Sequence, residues 1–182
     1  MRMRRVWAMP HGDTFDCSPI RDFVKGYLRE SSVSVDPFAR NKRWASYTND
    51  LDPRTEAEFH MPALDFLRKL KVDGVSADLI IFDPPYSPRQ IKELYDSIGL
   101  ETYKEMAHKT AGWSNEREAV HELLEVGGIF LWFNWNSLGM GIERNYEDIE
   151  LLLVAHGAGH NDTICFAQRK NGHQVKLWET AE

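Results

Sequence analysis

Strand-length apolar runs alternate along this sequence with amphipathic stretches, and this alternation limits the fold more than any other feature. Residues 79–82 form the clearest run, which ends at Asp83-Pro84-Pro85, where two prolines cannot continue a central strand. Strands that alternate with helices are typical of a parallel sheet with helices on both faces. The sequence therefore predicts an α/β fold in which one central strand stops abruptly at Asp83.

Four amphipathic helices are predicted from apolar residues that recur at helical spacing. The first begins near Pro19, with Ser18 as its expected N-cap, and the second covers an apolar stripe at residues 61–70. The third and fourth begin at Pro88 and Ser114. The remaining predicted strands cover residues 32–35, 45–48, 129–133, 149–155 and 163–168. The last two are joined by a link long enough for a hairpin, which is expected to add an antiparallel edge.

Length and composition predict one globular domain over residues 1–182, with 42% hydrophobic and 27% charged residues. These fractions exclude disordered and collagen-like chains, and no apolar run approaches the roughly 20 residues of a membrane helix. The net charge of −6 excludes a protein that coats nucleic acid by charge alone, although a local patch can still contact phosphates. No apolar signal core follows the basic start, and two cysteines, Cys17 and Cys165, are expected to stay reduced in the cytoplasm.

Acidic and amide side chains collect where the predicted strands end. Asp36, Asp50, Asp83 and Asn134 each follow or close one strand. In open α/β sheets the ligand binds beyond the carboxyl ends of the strands, at the point where the strand order reverses. We therefore expect a cleft at this edge of the sheet.

The run Asp83-Pro84-Pro85-Tyr86 is the best candidate for chemistry. Its prolines stiffen the turn and remove backbone donors, so that a carboxylate and a carbonyl remain as acceptors beside an aromatic ring. Two acceptors suit the two hydrogens of an exocyclic amine, and a ring suits stacking on the base that carries it. Orienting those hydrogens would localise the nitrogen lone pair for attack on an electrophile. The alternative interpretation is a rigid strand-to-helix turn without chemistry.

His156, His160 and Asp162 form a second constellation, in the loop of the predicted hairpin. They could be drawn as metal ligands, but the spacing is not helical and no cysteine pair supports it. We expect these side chains to hold the loop through hydrogen bonds, and we predict no metal site.

The tetrapeptide and its placement resemble the class I S-adenosylmethionine-dependent amino-methyltransferases of the Asp-Pro-Pro-Tyr type. The chain is most similar to the small adenine-N6 DNA methyltransferases of phages and prophages, at residues 14–20, 35–39, 49–53, 63–67, 83–90, 134–137 and 156–163. The resemblance implies a Rossmann-like fold with a mostly parallel seven-stranded sheet and a C-terminal antiparallel hairpin. It also implies that S-adenosylmethionine is the cofactor.

By this resemblance, Asp83 and the Pro84 carbonyl accept hydrogen bonds from the target amine. Tyr86 would stack on a flipped-out base, and Pro85 would shape the pocket. The implied cofactor-binding residues are Phe15, Pro19, Asp36, Pro37, Phe38, Ala39, Asp50, Leu51 and Leu64. Residues 36–39 would line the methionine end of the cofactor, and Phe15 and Pro19 would close over it. Asp50 would bond the ribose hydroxyls, and the two leucines would enclose the adenine ring.

The cofactor loop departs from the pattern of that family in two ways. The loop glycines are replaced by Arg40 and Lys42, and Arg40 could instead reach the cofactor carboxylate or face solvent. The acid that commonly contacts the adenine amine falls at Pro62, and Asp65 is expected on the wrong helical face.

The resemblance implies methyl transfer to adenine N6 in DNA, with DNA as the partner, no membrane association and a homodimer as one arrangement. The chain is too short for a separate target-recognition domain. Residues 99–113 and 136–146 are therefore expected to recognise the DNA sequence, with Lys104, Lys109 and Arg144 as phosphate contacts. Two alternatives stay open. One is a ribosomal-RNA methyltransferase acting on guanine N2 or adenine N6, and the other is a non-catalytic binding module with a decayed cofactor site.

Overall fold

The computed structural model describes residues 1–100, 113–141, 144–157 and 159–172. Its strands are β1 (Arg2–Trp7), β2 (Ser34–Asp36), β3 (Tyr47–Thr48), β4 (Ala77–Phe82), β5 (Leu124–Asn134), β6 (Tyr146–Ala155) and β7 (Thr163–Lys170). Its helices are α1 (Ser18–Leu28), α2 (Ala63–Val72), α3 (Pro88–Ser97) and α4 (Ser114–Leu123), and a short 3-10 turn covers Thr14–Asp16.

The seven strands form one sheet in the order β1-β6-β7-β5-β4-β2-β3. All neighbours pair in parallel except β7, which is antiparallel to both β5 and β6. This confirms the predicted α/β fold, with its mostly parallel seven-stranded sheet and antiparallel C-terminal hairpin. The hairpin does not add an antiparallel edge, however, because β7 lies inside the sheet and β1 pairs along the outer side of β6.

Strand β1 was not predicted from the sequence. Its residues are mostly exposed and include three arginines, so it shows no apolar alternation that would indicate a strand. Pairing with β6, from Arg2 opposite Glu150 to Trp7 opposite Ala155, defines it instead. Arg4 forms an ion pair with Glu150 at 2.7 Å across this edge. The strand therefore depends on a partner almost 150 residues away in sequence.

The predicted N-cap of α1 was wrong by one residue. Ser18 is the first helical residue, and the N-cap is Cys17, which makes no side-chain capping hydrogen bond. The proline at the second helical position needs no backbone donor there, so the helix can begin without a serine cap.

Two apolar cores cover the two faces of the sheet, because successive side chains of a strand point to opposite faces. Ile80 and Phe82 of β4 face one core, whereas Leu79 and Ile81 face the other. Helices α2 and α4 cover the first face with Phe66, Leu67, Leu70, Ala119, Val120 and Leu123. Helix α1 covers the second with Ile20, Phe23 and Val24. Both cysteines are buried in the second core as free thiols.

The parallel strands bring their carboxyl ends to one edge of the sheet, as the sequence pattern predicts. Asp36 is the last residue of β2, and Asp83 directly follows β4, the strand that pairs with it. Among the described residues, no helix has the length and apolar character needed to cross a lipid bilayer.

Candidate active site

The chain changes direction across the sheet between β2 and β4. From β2 it moves outward to β3, and it returns through α2 to β4 on the other side of β2. Such a reversal leaves a crevice beyond the strand ends, and it is here that Asp36 and Asp83 lie. The charge of Asp83 contributes to the raised pKa of Asp36, after the larger effect of burial.

Three adjoining cavities open at this edge. The central cavity has a volume of about 620 Å³ and is bordered by Asp83, Pro84, Pro85 and Tyr86. The apolar cavity, about 270 Å³, shares Phe38, Asp50, Pro85 and Leu94 with it. The outer cavity, about 210 Å³, meets it along Gly12, Thr14, Tyr86 and Gln90. The tetrapeptide therefore stands at the centre of a continuous cleft.

The tetrapeptide is held in place by hydrogen bonds within its own turn. The Tyr86 hydroxyl donates to the Asp83 carboxylate. The Tyr86 backbone N–H donates to Oε1 of Gln90 at 2.6 Å, and Ser87 caps α3 by accepting from the Gln90 N–H at 3.3 Å. The Tyr86 ring packs edge-on against Trp135, with 5.6 Å between ring centres. These contacts fix both the acceptor and the aromatic face that the sequence pointed to.

Burial dominates the acid–base behaviour of the site. It raises the pKa of Asp83 to about 7, although hydrogen bonds from Tyr86 and Thr14 oppose the increase. Burial also raises the pKa of Asp36 well above its usual range, and it raises the pKa of Asp50. The pKa of Tyr86 is raised as well, so its hydroxyl stays protonated and remains a donor. Near neutral pH, Asp83 is thus present in both protonation states.

The loop after β2 keeps a glycine-like conformation without glycine. Arg40 has a φ of +49°, in the left-handed region that costs a non-glycine residue roughly 1–2 kcal/mol. Its backbone N–H donates to the Asp50 carboxylate at 3.0 Å, and its guanidinium donates to the Gly12 carbonyl at 3.0 Å. Arg40 is exposed to solvent and also lines the central cavity.

The apolar cavity brings together several of the residues expected to hold an adenine ring. Leu51 and Leu64 both line it. Pro62 and Asp65 also border this cavity, so Asp65 does not lie on a face turned away from it, contrary to the expectation. A further acid, Glu116 at the start of α4, is 4% exposed and lies on the same wall.

Some predicted cofactor residues lie away from the cavities. The short 3-10 turn directs Phe15 into the core, where its ring packs against Trp44 and Phe133 with centres 5.8 and 5.2 Å apart. Thr14, one residue earlier, lines the central cavity instead. The lining of the three cavities does not include Phe15, Pro19, Asp36 or Ala39.

Asp36 and Ala39 support the loop that follows β2. The Asp36 carboxylate accepts the N–H of Phe38 at 3.0 Å, and the Ala39 N–H donates to the Asn49 carbonyl at 2.9 Å. Pro37 and Phe38, between them, border the apolar cavity. The four residues therefore split into two that support the loop and two that line the cleft.

The lining residues that received no role from the sequence include Thr14, Gln90 and Glu116. For Gln90 a signal was present, since it lies four residues after Tyr86 in the first turn of a proline-initiated helix. Glu116 gave no comparable signal. An acidic residue in the first turn of a helix is common, because its charge interacts favourably with the helix dipole while the side chain stays in solvent.

The histidine loop is held by hydrogen bonds, as expected. The N–H of His156 donates to Asp162 at 3.2 Å, and its ring nitrogens lie 2.9 Å from the Ala8 carbonyl and the Thr163 hydroxyl. His160 lines the outer cavity. Among the described residues, no group of three histidine, cysteine or acidic side chains could hold a metal ion.

The expected phosphate contacts are less available. Arg144 forms an ion pair with Glu118 at 2.9 Å and donates to the Met140 carbonyl at 2.9 Å. Lys104 and Lys109 lie outside the described residues.

Comparison of the fold with solved structures identifies its architecture. The methyltransferase SMU.776, complexed with SAH, superposes with a TM-score of 0.55 at 13% identity, over 82% of this chain and 49% of that one. NSun6 from Pyrococcus horikoshii with SFG gives a TM-score of 0.52 at 14% identity, over 82% and 51%. A SAM-dependent methyltransferase from Agrobacterium tumefaciens gives 0.51 at 11% identity, over 83% and 60%.

The chain has a Rossmann-like methyltransferase fold. It spans about half the length of the SMU.776 and NSun6 chains, at 49% and 51%. No protein-family model and no curated sequence matches it. The comparisons therefore establish the fold, and the chemistry has to be argued from the cleft itself.

Proposed function

We propose that this chain transfers a methyl group from S-adenosylmethionine to N6 of adenine in DNA. One observation carries the proposal: at the end of β4, Asp83 and Pro84 border a cavity beside the ring of Tyr86. An amine acceptor pair next to an aromatic face suits a planar amino base. The fold, shared with methyltransferases solved with SAH and SFG, supports methyl transfer as the reaction.

The residues of the cleft fit S-adenosylmethionine. Its flat adenine matches the apolar cavity, where Leu51 and Leu64 would enclose the ring. Asp50 lines both the apolar and the central cavity, the position in which a carboxylate could bond the ribose hydroxyls. Arg40 in the central cavity would pair with the carboxylate of the methionine moiety.

The loop at residues 36–39 would then support the methionine end. When bound, S-adenosylmethionine supplies a methyl group that is already electrophilic, because it is attached to a positively charged sulfur. The protein therefore needs no metal for this step.

The work of the protein is to orient the nucleophile. Asp83 and the Pro84 carbonyl would accept hydrogen bonds from the two N–H groups of the amine. These bonds would hold its lone pair toward the central cavity. The Tyr86 ring would stack on the base, and Pro85 would limit its position. After transfer, the amine must lose a proton, and the Asp83 carboxylate is placed to receive it, with a pKa of about 7.

The partner in this proposal is DNA, and a homodimer would enlarge the short surface available to contact it. Light scattering of the purified chain, alone and with an oligonucleotide duplex, tests the oligomeric state.

The deciding experiment uses tritiated S-adenosylmethionine. Purified protein is incubated separately with unmethylated genomic DNA and total RNA, and the labelled nucleoside is identified after digestion. We expect label in N6-methyldeoxyadenosine, and none with the Asp83→Asn variant. Label confined to an RNA nucleoside would replace the DNA proposal by the RNA alternative.

A non-catalytic binding module makes a different prediction. It requires that isothermal calorimetry detects no binding of S-adenosylmethionine, whereas the proposed enzyme binds it in the micromolar range or tighter. Lack of both label and cofactor binding would overturn the proposed function.

A further inference from the structure

Gln90 lies where the central and outer cavities meet, on the first turn of α3. The same boundary is formed by Tyr86, the ring proposed to stack on the target base. A base that stacked on Tyr86 would therefore lie near the Gln90 side chain. The hydrogen-bonding groups of that side chain would then influence which base is accepted.

The orientation of the Gln90 amide is fixed by the turn. Its Oε1 accepts the backbone N–H of Tyr86 at 2.6 Å, a donor that only the oxygen of the amide can satisfy. The Nε2 group consequently points away from Tyr86 N–H and carries two hydrogens. Within the described residues, Nε2 has no hydrogen-bond partner, and the side chain is exposed to the cleft. The central cavity is thus lined by this amide donor as well as by two acceptors, Asp83 and Pro84.

Nucleobases differ in what lies beside their amine. In adenine, N6 is next to N1, a ring nitrogen that accepts a hydrogen bond on the Watson–Crick edge. In guanine, N2 lies between N1, which carries a hydrogen and donates, and N3, which accepts. A base held with its amine on Asp83 and Pro84, and with N1 toward Gln90, would meet the Nε2 donor with this ring nitrogen. The donor is satisfied by adenine, whereas the N–H of guanine would face it with like polarity.

We propose that Gln90 favours adenine over guanine by donating from Nε2 to N1 of the target adenine. This inference rests on the proposed function, because it concerns the base bound at the same site. It excludes guanine N2 presented through its N1 edge. Gln90 also supports Tyr86, and that second role has to be separated experimentally.

The test combines altered bases with altered residues. Single-stranded and duplex oligonucleotides carry adenine, 1-deazaadenine or 7-deazaadenine at a methylated position, and initial rates are measured with tritiated S-adenosylmethionine at pH 8. Replacing N1 by C–H removes the acceptor, and we expect the wild-type rate to fall about fivefold to tenfold, the effect of one neutral hydrogen bond. Replacing N7 serves as the control for altered ring electronics.

Two substitutions distinguish recognition from support of the turn. Gln90→Glu still offers an oxygen to the Tyr86 N–H but loses the donor, so its rate with adenine should fall while its rate with 1-deazaadenine stays near that of wild type. Gln90→Met loses both contacts and should not discriminate between the two bases. Lys92→Gln is the matched control on the same helix, because Lys92 is exposed, pairs with Asp96 and lines none of the three cavities.

The outcomes separate this inference from the proposed function. If 1-deazaadenine slows wild type and both Gln90 variants by the same factor, N1 is read by another group and the inference is overturned while DNA methylation stands. If unmodified adenine in DNA accepts no label from wild-type protein, the proposed function fails and the inference fails with it. The inference is supported if wild type and Lys92→Gln methylate adenine faster than 1-deazaadenine while neither Gln90 variant does.

Discussion

Asp36 and Asp83 end neighbouring parallel strands at the same edge of the sheet, yet their carboxyl groups have different surroundings. Asp36 is 2% exposed and accepts the N–H of Phe38, two residues along its own loop. Asp83 borders the central cavity, and its hydrogen bond comes from the Tyr86 hydroxyl. Burial raises the pKa of both. A raised pKa therefore does not distinguish the two carboxyl groups, whereas access to the cleft does.

The largest expected effect comes from removing the accessible carboxyl group. Asp83→Ala should lower the methylation rate about 10²–10³-fold, the usual cost of losing one preorganised polar group at a reacting centre. The fold should persist, because within the described part of the chain the Asp83 carboxylate accepts from the Tyr86 hydroxyl and from no backbone N–H. Rates are measured with tritiated S-adenosylmethionine, and Asp73→Ala, which removes an exposed carboxyl group paired with Lys69, should match wild type. Equal rates for Asp83→Ala and wild type would contradict the assignment.

The pH dependence should show the same carboxyl group. An amine can be held by Asp83 when it is ionised, and its pKa lies at about 7. We therefore expect kcat/KM for S-adenosylmethionine to fall about tenfold for each pH unit below this value. A rate profile that is flat between pH 5.5 and 7 would show that ionisation of Asp83 is not required.

The free energy of unfolding should fall as the pH rises, whereas kcat/KM should increase. The pKa of Asp83 rises on folding from 3.8 to about 7, so its contribution to stability is fully present below the lower value and is lost as the pH passes the higher one. Asp83→Asn lacks this loss. In urea titrations, the free energy of unfolding of Asp83→Asn should increase relative to that of wild type between pH 4 and pH 8. A difference between the two proteins that does not change with pH would contradict the raised pKa of Asp83.

A smaller effect, on stability, is expected at the enclosed carboxyl group. Asp36→Ala leaves the Phe38 N–H without its partner, which should lower the free energy of unfolding by roughly 1–3 kcal/mol in urea titrations. Asp36→Asn retains an oxygen acceptor and is the matched control. If both variants unfold at the same urea concentration as wild type, the Asp36 hydrogen bond does not support the loop.

The smallest effect should follow from Tyr86→Phe, which keeps the ring and removes the hydroxyl. The hydrogen bond from that hydroxyl lowers the pKa of Asp83, so its loss should move the midpoint of the rate profile to higher pH. At pH 8.5 the rate should fall no more than about fivefold, about the value of one neutral hydrogen bond. Tyr27→Phe, which loses a hydroxyl bonded to Glu150, is the control and should leave the profile unchanged.

Local patterns predicted the parts of the molecule whose conformation is local. The apolar run before Asp83, the proline-initiated helices and the hairpin each follow from a few adjacent residues, and each is present. Leu51 and Leu64 line the apolar cavity together. The resemblance to a known family named both leucines, and no local motif did.

What the sequence did not predict depends on distant contacts. Strand β1 is recognisable through its pairing with β6, and Glu116 joins the apolar cavity because α4 packs beside α2. The direction of Phe15 is set by a 3-10 turn of three residues, too short to leave a periodic signal. The sequence predicted the position of Asp83 at the sheet edge, and it did not predict the lining residues that distant elements supply.

The position of β7 has a consequence for how the protein is made. Strands β1 and β6 join the rest of the described sheet through β7 alone, and β7 is its last strand to be synthesised. While the chain emerges from the ribosome, β5 has an unpaired edge that carries the apolar residues of both cores. Exposed strand edges of this kind favour aggregation. The β5 edge should therefore stay prone to aggregation until β7 has been translated.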